Sequence, residues 1–395
     1  MRLPGAYVVP PANLYNRAVR SPGHRRAYID VARGIAVLLM IEAHTTDAWT
    51  SASAKATTAF RNAAIVGGFA APLFLWLAGL AVVLAQTRIA NRSGSRADAI
   101  AAGCRRGLEI LLLSFLFRLQ AFVVSPGGDP LMLLRVDILN IMGPAIVAAS
   151  LMWGLRPSMS VSGRVATYVA ATVFVAMSTP IVRASHLVEG LPTLLQWYVR
   201  PAGEYTTFTL LPWTGFVFAG AAAGTLVAAV KDERSEGRLQ VALAICGVAL
   251  IAAGVAAAAR PSIYRAASFW TSSPAWFAIR VGVLMVLLPL LFALASRGGM
   301  SVRPLERLGR HSLFIYWIHV ELVYGYAAWP LWHRLPLRAT AIAYIVFCLL
   351  MYATLGLRDR AVLWWQQRGA VRASSGHRPL AGVESPPHLS VRRLP

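Results

Sequence analysis

Apolar residues in this chain come in long runs separated by short polar, Gly- or Pro-bearing segments. About ten runs are long enough to cross a bilayer as helices, at approximately residues 28–50, 62–86, 104–124, 131–153, 164–182, 206–230, 239–259, 275–296, 311–329 and 338–357. Lipid offers no partner to an exposed backbone N–H or C=O, so each run is expected to satisfy itself as a helix. The expected fold is all-α, a polytopic membrane bundle of about ten transmembrane helices. Residues 27–358 form its membrane domain, between a basic segment 1–26 and a basic tail 359–395, both flexible by composition. The first apolar run is too long for the core of a cleavable signal and is expected to stay as a helix.

Composition supports a membrane protein. Of 395 residues, 57% are hydrophobic and 14% charged, against roughly a quarter charged in soluble domains. The formal net charge of +22 would suggest nucleic acid in a soluble chain, but no basic-aromatic segment lies outside the apolar runs, and no nucleic-acid partner is expected. Lys and Arg concentrate instead on one side. Twenty-seven of the 38 fall in the termini and even-numbered loops and 11 in the odd ones, which predicts both termini in the cytoplasm. Cys104, Cys246 and Cys348 read as small hydrophobes, and no His, Cys or acidic spacing indicates a metal site.

The first run, YIDVARGIAVLLMIEAHTTDAW, breaks the apolar pattern with Asp30, Arg33, Glu42, His44 and Asp47. His44 lies eleven positions after Arg33, which leaves a rotation of only about 20° at 100° per residue. Asp30 lies about 40° and Asp47 about 60° from His44, so the four share one face, and Glu42 points roughly opposite. Such a stripe cannot face lipid and must look into the bundle or a wet cavity. Asp30 and Arg33 are spaced to pair, and Asp47 is spaced to orient His44. His44 lies about 16 Å from Arg33 along the axis, toward the outer side.

Several segments carry a family resemblance. RRAYIDVARGIAVLLMIEAH (25–44) resembles the opening signature of membrane acetyltransferases related to heparan-alpha-glucosaminide N-acetyltransferase, and Arg33-x10-His44 is similar to the spacing in the wider type 3 transmembrane acyltransferases. PLFLWLAGLAV (72–82), RRGLEILLL from Arg105, RVDILNIMGPAIV (135–147), LLPWTGFVFAGAAAG (210–224) and LGRHSLFIYWIHV (308–320) resemble later segments in the same order. In the lysosomal enzyme the catalytic His follows the first helix; here no His lies between Thr45 and His186, so a role for His44 rests on the type 3 pattern.

The resemblance implies transfer of an acyl group, expected to be acetyl, from cytoplasmic acyl-CoA to a sugar or glycan acceptor on the outer side, in a bacterial inner (cytoplasmic) membrane. His44 is expected to act as general base or as acyl-accepting nucleophile, with Asp47 and Asp30 beside it. Arg33, Arg105 and Arg106 suit the phosphates of acetyl-CoA. Among the substrate-binding candidates, Asp137 and Asn140 are placed to orient the acceptor or His44, Trp213 to donate its indole N–H to the acyl carbonyl, and His319 is a second buried imidazole; each is also readable as packing, hydrogen bonding or interfacial anchoring. The small residues Ala219–Gly224 allow close helix approach, within the chain or in a homodimer. The rival reading is a secondary transporter whose polar face carries solute or protons, but the one Pro-broken segment, near Pro212, has no counterpart in the other half.

Overall fold

The computed structural model describes residues 26–124, 129–155, 158–296 and 302–375; the expected N-terminal segment and the end of the tail lie outside them. Among the described residues all regular structure is helical, apart from two isolated bridges, Thr50 with Leu335 and Val136 with Thr206. In chain order the helices are α1 (Ala27–Trp49), α2 (Ala52–Lys55), α3 (Thr58–Gly67), α4 (Ala70–Ser93), α5 (Arg96–Val124), α6 (Ile138–Gly154) and α7 (Val161–Ala184). There follow α8 (Thr193–Val199), α9 (Leu210–Ala229), α10 (Glu233–Ala258), α11 (Pro274–Ser296), α12 (Arg303–Arg310), α13 (Ser312–Tyr324) and α14 (Leu337–Ser375). The chain divides into two units, residues 1–345 and 346–395, with the division falling inside α14.

Among the described residues seven segments are long and apolar enough to cross a membrane: α3 with α4 as one stretch, α5, α7, α9, α10, α11 and Leu337–Gln366 of α14. Three expected spans differ. Helix α1 has 23 residues but carries four charged side chains, Asp30, Arg33, Glu42 and Asp47. Helices α6 and α13 have 17 and 13 residues, about 26 and 20 Å at 1.5 Å per residue, shorter than a hydrocarbon layer of roughly 30 Å. The run expected from 131 becomes helical only at Ile138, because Pro130–Leu134 forms a 3-10 turn and Asp137, in extended conformation, caps α6. The last span continues as helix past 358 to Ser375.

Apolar side chains sort by environment as a bilayer demands. Leu108, Leu112, Leu116 and Leu119 on α5, and Val241, Ile245 and Val248 on α10, are exposed at helical spacing, where lipid would cover them. Inside, Trp76, Leu73 and Leu77 of α4, Tyr168 of α7 and Phe216 of α9 are almost wholly enclosed in one core. At the helix junction before α10, Asp232 caps the first turn, and the amide and hydroxyl of Ser235 hold its carboxyl below the usual range.

Glycine seams set the framework, and two of them frame the site. Helices α4 and α9 approach until a Cβ on Gly79 would collide with the Val217 carbonyl and one on Gly220 with the Trp76 carbonyl. Likewise a Cβ on Gly34 would meet the Leu305 carbonyl, and one on Gly309 the Asp30 carbonyl, which presses α12 against the start of α1. Without a hydrophobic drive inside lipid, such close contact supplies the association of helices.

The seam gives a prediction of two opposite signs. Gly220→Val forces a side chain into a backbone carbonyl and should destabilise by about 1–3 kcal/mol or more. Gly237→Ala, in α10 with open space around its Cβ position, should raise stability by about 0.5–1 kcal/mol. Thermal unfolding of both variants in one detergent checks the pair; a Gly220→Val protein that melts with the wild type removes the seam's role.

Candidate active site

A cavity of about 1140 Å³ runs through the unit formed by residues 1–345. Its lining extends from Gln86, Ile89 and Arg106 to Asp137, Thr207 and Gly325. The wall on α4 mixes small side chains, Ala71, Ala78, Ala81 and Ala85, with the larger Phe74, Leu77 and Ile89. Small residues on one face leave a gap between helices that the glycine seams hold at fixed separation.

Arg33, His44 and Asp47 of α1 all line this cavity, so the polar stripe does look inward. Asp30 is brought to Arg33, 3.4 Å away, but is buried at the start of α1 and is not on the cavity wall. Fourteen residues, about 21 Å of helix, separate it from His44. Asp47 and His44 are not joined directly. The Tyr324 hydroxyl of α13 stands between them, 3.0 Å from His44 Nδ1 and 3.0 Å from Asp47 Oδ2. Asp47 also receives Lys55 at 3.2 Å.

This chain of contacts decides the tautomer. Tyrosine has one proton and the Asp47 carboxylate can only accept, so Tyr324 donates to Asp47. His44 Nδ1–H then donates to the Tyr324 oxygen, and the lone pair is left on Nε2. Among the described residues Nε2 has no hydrogen-bond partner. It is placed as a base or nucleophile toward whatever enters the cavity.

His319 is fully buried, its ring centroid 5.2 Å from that of His44. Its Nδ1 lies 3.0 and 2.9 Å from the Ile315 and Tyr316 carbonyls, which only accept, so Nδ1 carries its proton and donates. Nε2 is buried with no partner among the described residues. The imidazole is thus beside the His44 ring but not on the cavity wall.

The two ends of the cavity differ in chemistry. At the Arg33 end, Arg106 and Arg310 join the lining, Arg106 pairing with Glu109 at 3.2 Å and Arg310 with Glu306 at 2.8 Å, whereas Arg105, 3.7 Å from the same Glu109, is off the wall. The Gly34–Leu305 and Gly309–Asp30 contacts are what bring Arg310 to the Arg33 end. At the Asp47 end the lining includes Trp213, Asp137, Arg118, Arg135 and Glu321. Trp213 makes edge contacts with Phe208 and Trp276. Asn140 is not on the wall; its Oδ1 accepts from the Asp137 amide at 2.9 Å and its amide donates to the Tyr198 hydroxyl, a capping role for α6. Tyr324, Arg118, Glu321 and Arg310 escaped the sequence reading. Arg118 and Glu321 had a signal, being ionisable residues inside apolar helices, where function is the default hypothesis. Tyr324 had none.

A helical membrane bundle enclosing a polar cavity with an accessible imidazole defines the class. Residues 25–259, well over half of the chain, match the family described as heparan-alpha-glucosaminide N-acetyltransferase, catalytic. The chain belongs to this family and is a multi-pass membrane acetyltransferase. Among curated proteins none matches it.

The bridge predicts that Asp47 acts on His44 through Tyr324. Tyr324→Phe keeps the ring but cuts the bridge, and should lower acyl-transfer turnover by about 10–100-fold with little change in KM, as loss of an orienting contact does. Asp47→Asn in the Tyr324→Phe background should add little further, which a double-mutant cycle of initial rates checks.

Proposed function

We propose that this protein transfers an acetyl or similar short acyl group from acyl-CoA, entering at the Arg33 end, to a sugar or glycan acceptor entering at the Asp47 end. The observation that carries the reading is one cavity with Arg33, Arg106 and Arg310 at one end and, toward the other, an imidazole backed by Tyr324 and Asp47. Guanidinium groups suit the phosphates of CoA. The excess of Lys and Arg on the Arg33 side supports a cytoplasmic position for that end and for both termini. A bacterial cytoplasmic membrane is the location consistent with this reading.

In this reaction the acceptor's O–H or N–H proton goes to His44 Nε2 as its oxygen or nitrogen bonds the acyl carbon. The C–S bond breaks, and the CoA sulfur leaves as thiolate and takes the proton from His44, so the site returns to its starting state. The imidazolium formed in between is stabilised by the Nδ1–H to Tyr324 to Asp47 chain. Trp213, with an indole N–H on the wall, is the candidate donor to the carbonyl oxygen as it gains charge. On the covalent alternative the same Nε2 carries the acyl group between two half-reactions.

Purified protein in proteoliposomes, given labelled acetyl-CoA and a panel of glycans and amino sugars, tests the proposal. Label should reach an acceptor, and His44→Ala should lower the rate by about 10²–10⁴-fold in a folded protein. Label retained by wild-type protein without acceptor supports the covalent route. No transfer and no acetyl-CoA binding overturns the proposal in favour of transport. In the same assay Arg310→Gln should raise the KM for acyl-CoA by about tenfold, the scale of one lost charge-assisted contact, while Arg105→Gln leaves it unchanged.

A further inference from the structure

Outside the cavity, two arginines share one indole. Arg96 at the start of α5 and Arg164 in the first turn of α7 hold their guanidinium carbons 4.8 and 4.9 Å from the ring centre of Trp153, in the last turn of α6. Arg96 is about 15 Å of helix beyond Arg106, which places the cluster at the Arg33 end. None of the three lines the cavity. Gln86, on the cavity wall, donates to the carbonyls of Ala99 and Ser150, each three residues from the cluster, and ties α4 to α5 and α6 there.

The two guanidinium groups are held differently. Arg96 donates at 3.2 Å to the Trp153 carbonyl, one of those that the end of α6 leaves without a helical partner. Arg164 is half-buried and makes no side-chain hydrogen bond or ion pair among the described residues; its Nε is buried, and its terminal nitrogens are left to the surface. Contact with a ring face steadies a guanidinium's charge without using its N–H donors. Neither α6 nor α7 contains an Asp or Glu, and Asp98, the acid in the first turn of α5, lies about 200° round that helix from Arg96. Arg164 is therefore a cation at the meeting of three helix ends, with a second cation and not a carboxylate on the same indole.

We infer that Arg164, Arg96 and Trp153 form a site for the phosphate of an anionic phospholipid at the membrane surface. The site lies off the cavity and does not depend on the acyl-transfer reading. Guanidinium groups match phosphate in charge and in geometry, and basic pockets between helices at a membrane face hold anionic headgroups. The lipid chains also find a surface. Leu151 on α6 and Val169 and Val173 on α7 are exposed deeper along the same two helices, which Tyr168 joins by donating to the Ala149 carbonyl at 2.7 Å. A soluble phosphate would make no use of that aliphatic surface.

The test follows binding of labelled dioctanoyl phosphatidylglycerol to the purified full-length protein in neutral detergent. Unlabelled phosphatidylglycerol, dioctanoyl phosphatidylcholine, inorganic phosphate and CoA serve as competitors. Binding should saturate, and phosphatidylcholine should compete at least about tenfold less well than phosphatidylglycerol, as a headgroup without net charge does at paired arginines. Arg164→Gln should weaken binding about tenfold, the scale of one lost charge-assisted contact, while Arg105→Gln leaves it unchanged. Phosphatidylcholine competing equally, no saturable binding, or Arg164→Gln binding like wild type overturns the inference and leaves the arginines as packing and interfacial anchors. Inorganic phosphate or CoA competing as well as phosphatidylglycerol reassigns the site to a soluble phosphate and overturns the lipid assignment. If Arg164→Gln does not fold, Arg96→Gln takes its place with the same expected loss, and if neither folds, the competition on wild type decides.

Discussion

An ionised side chain cannot face hydrocarbon, and the architecture around α1 follows from that constraint. Arg33, His44 and Asp47 lie on one face of a helix inside a bundle, so the remaining helices must leave them a polar space. The cavity is the result. The groups that answer α1 across it come from elements far apart in sequence: Tyr324 and Glu321 from α13, Arg118 from α5, Asp137 from the cap of α6. Each would be costly in lipid and is tolerable here because another polar group, or the cavity itself, faces it.

Holding such a space open requires stiffness around it. The α4–α9 seam brings two backbones together at Gly79 and Gly220, and the α1–α12 seam does so at Gly34 and Gly309. Between the seams, alanines on α4 alternate with larger residues such as Phe74 and Leu77 along the cavity wall. Where small residues fall opposite a backbone, they draw helices together. The same seams deliver Arg310 beside Arg33, so a packing feature also shapes the chemistry of one end.

Arg280 shows how the bundle treats a charge that has no carboxylate among its hydrogen bonds. It is buried on α11, donates to the Gly68 carbonyl where α3 gives way to α4, and lies 4.6 Å from the ring centres of Phe69 and Trp276. The break between α3 and α4 leaves that carbonyl without a helical partner, and the guanidinium supplies one while the aromatic faces stabilise its charge. Near it, Glu42 packs against Gly67 on the side of α1 away from the Arg33–His44 stripe, accepting from Thr46.

The sequence by itself determined the apolar runs, the inward polar face of α1 and the pairing of Asp30 with Arg33, because these depend on helical period and on the cost of charge in lipid, which are local. It also carried the family signature over residues 25–259. Tertiary structure alone decided that Asp47 reaches His44 through Tyr324, that Arg310 and not Arg105 lines the cavity, and that Asn140 caps a helix away from the wall. It likewise decided that α6 and α13 stop short of a full span. The physical reason is that a helical pattern says which face a residue occupies but not what stands opposite it; Tyr324 is 280 residues from His44 along the chain, and only the packing of α13 against α1 makes them neighbours.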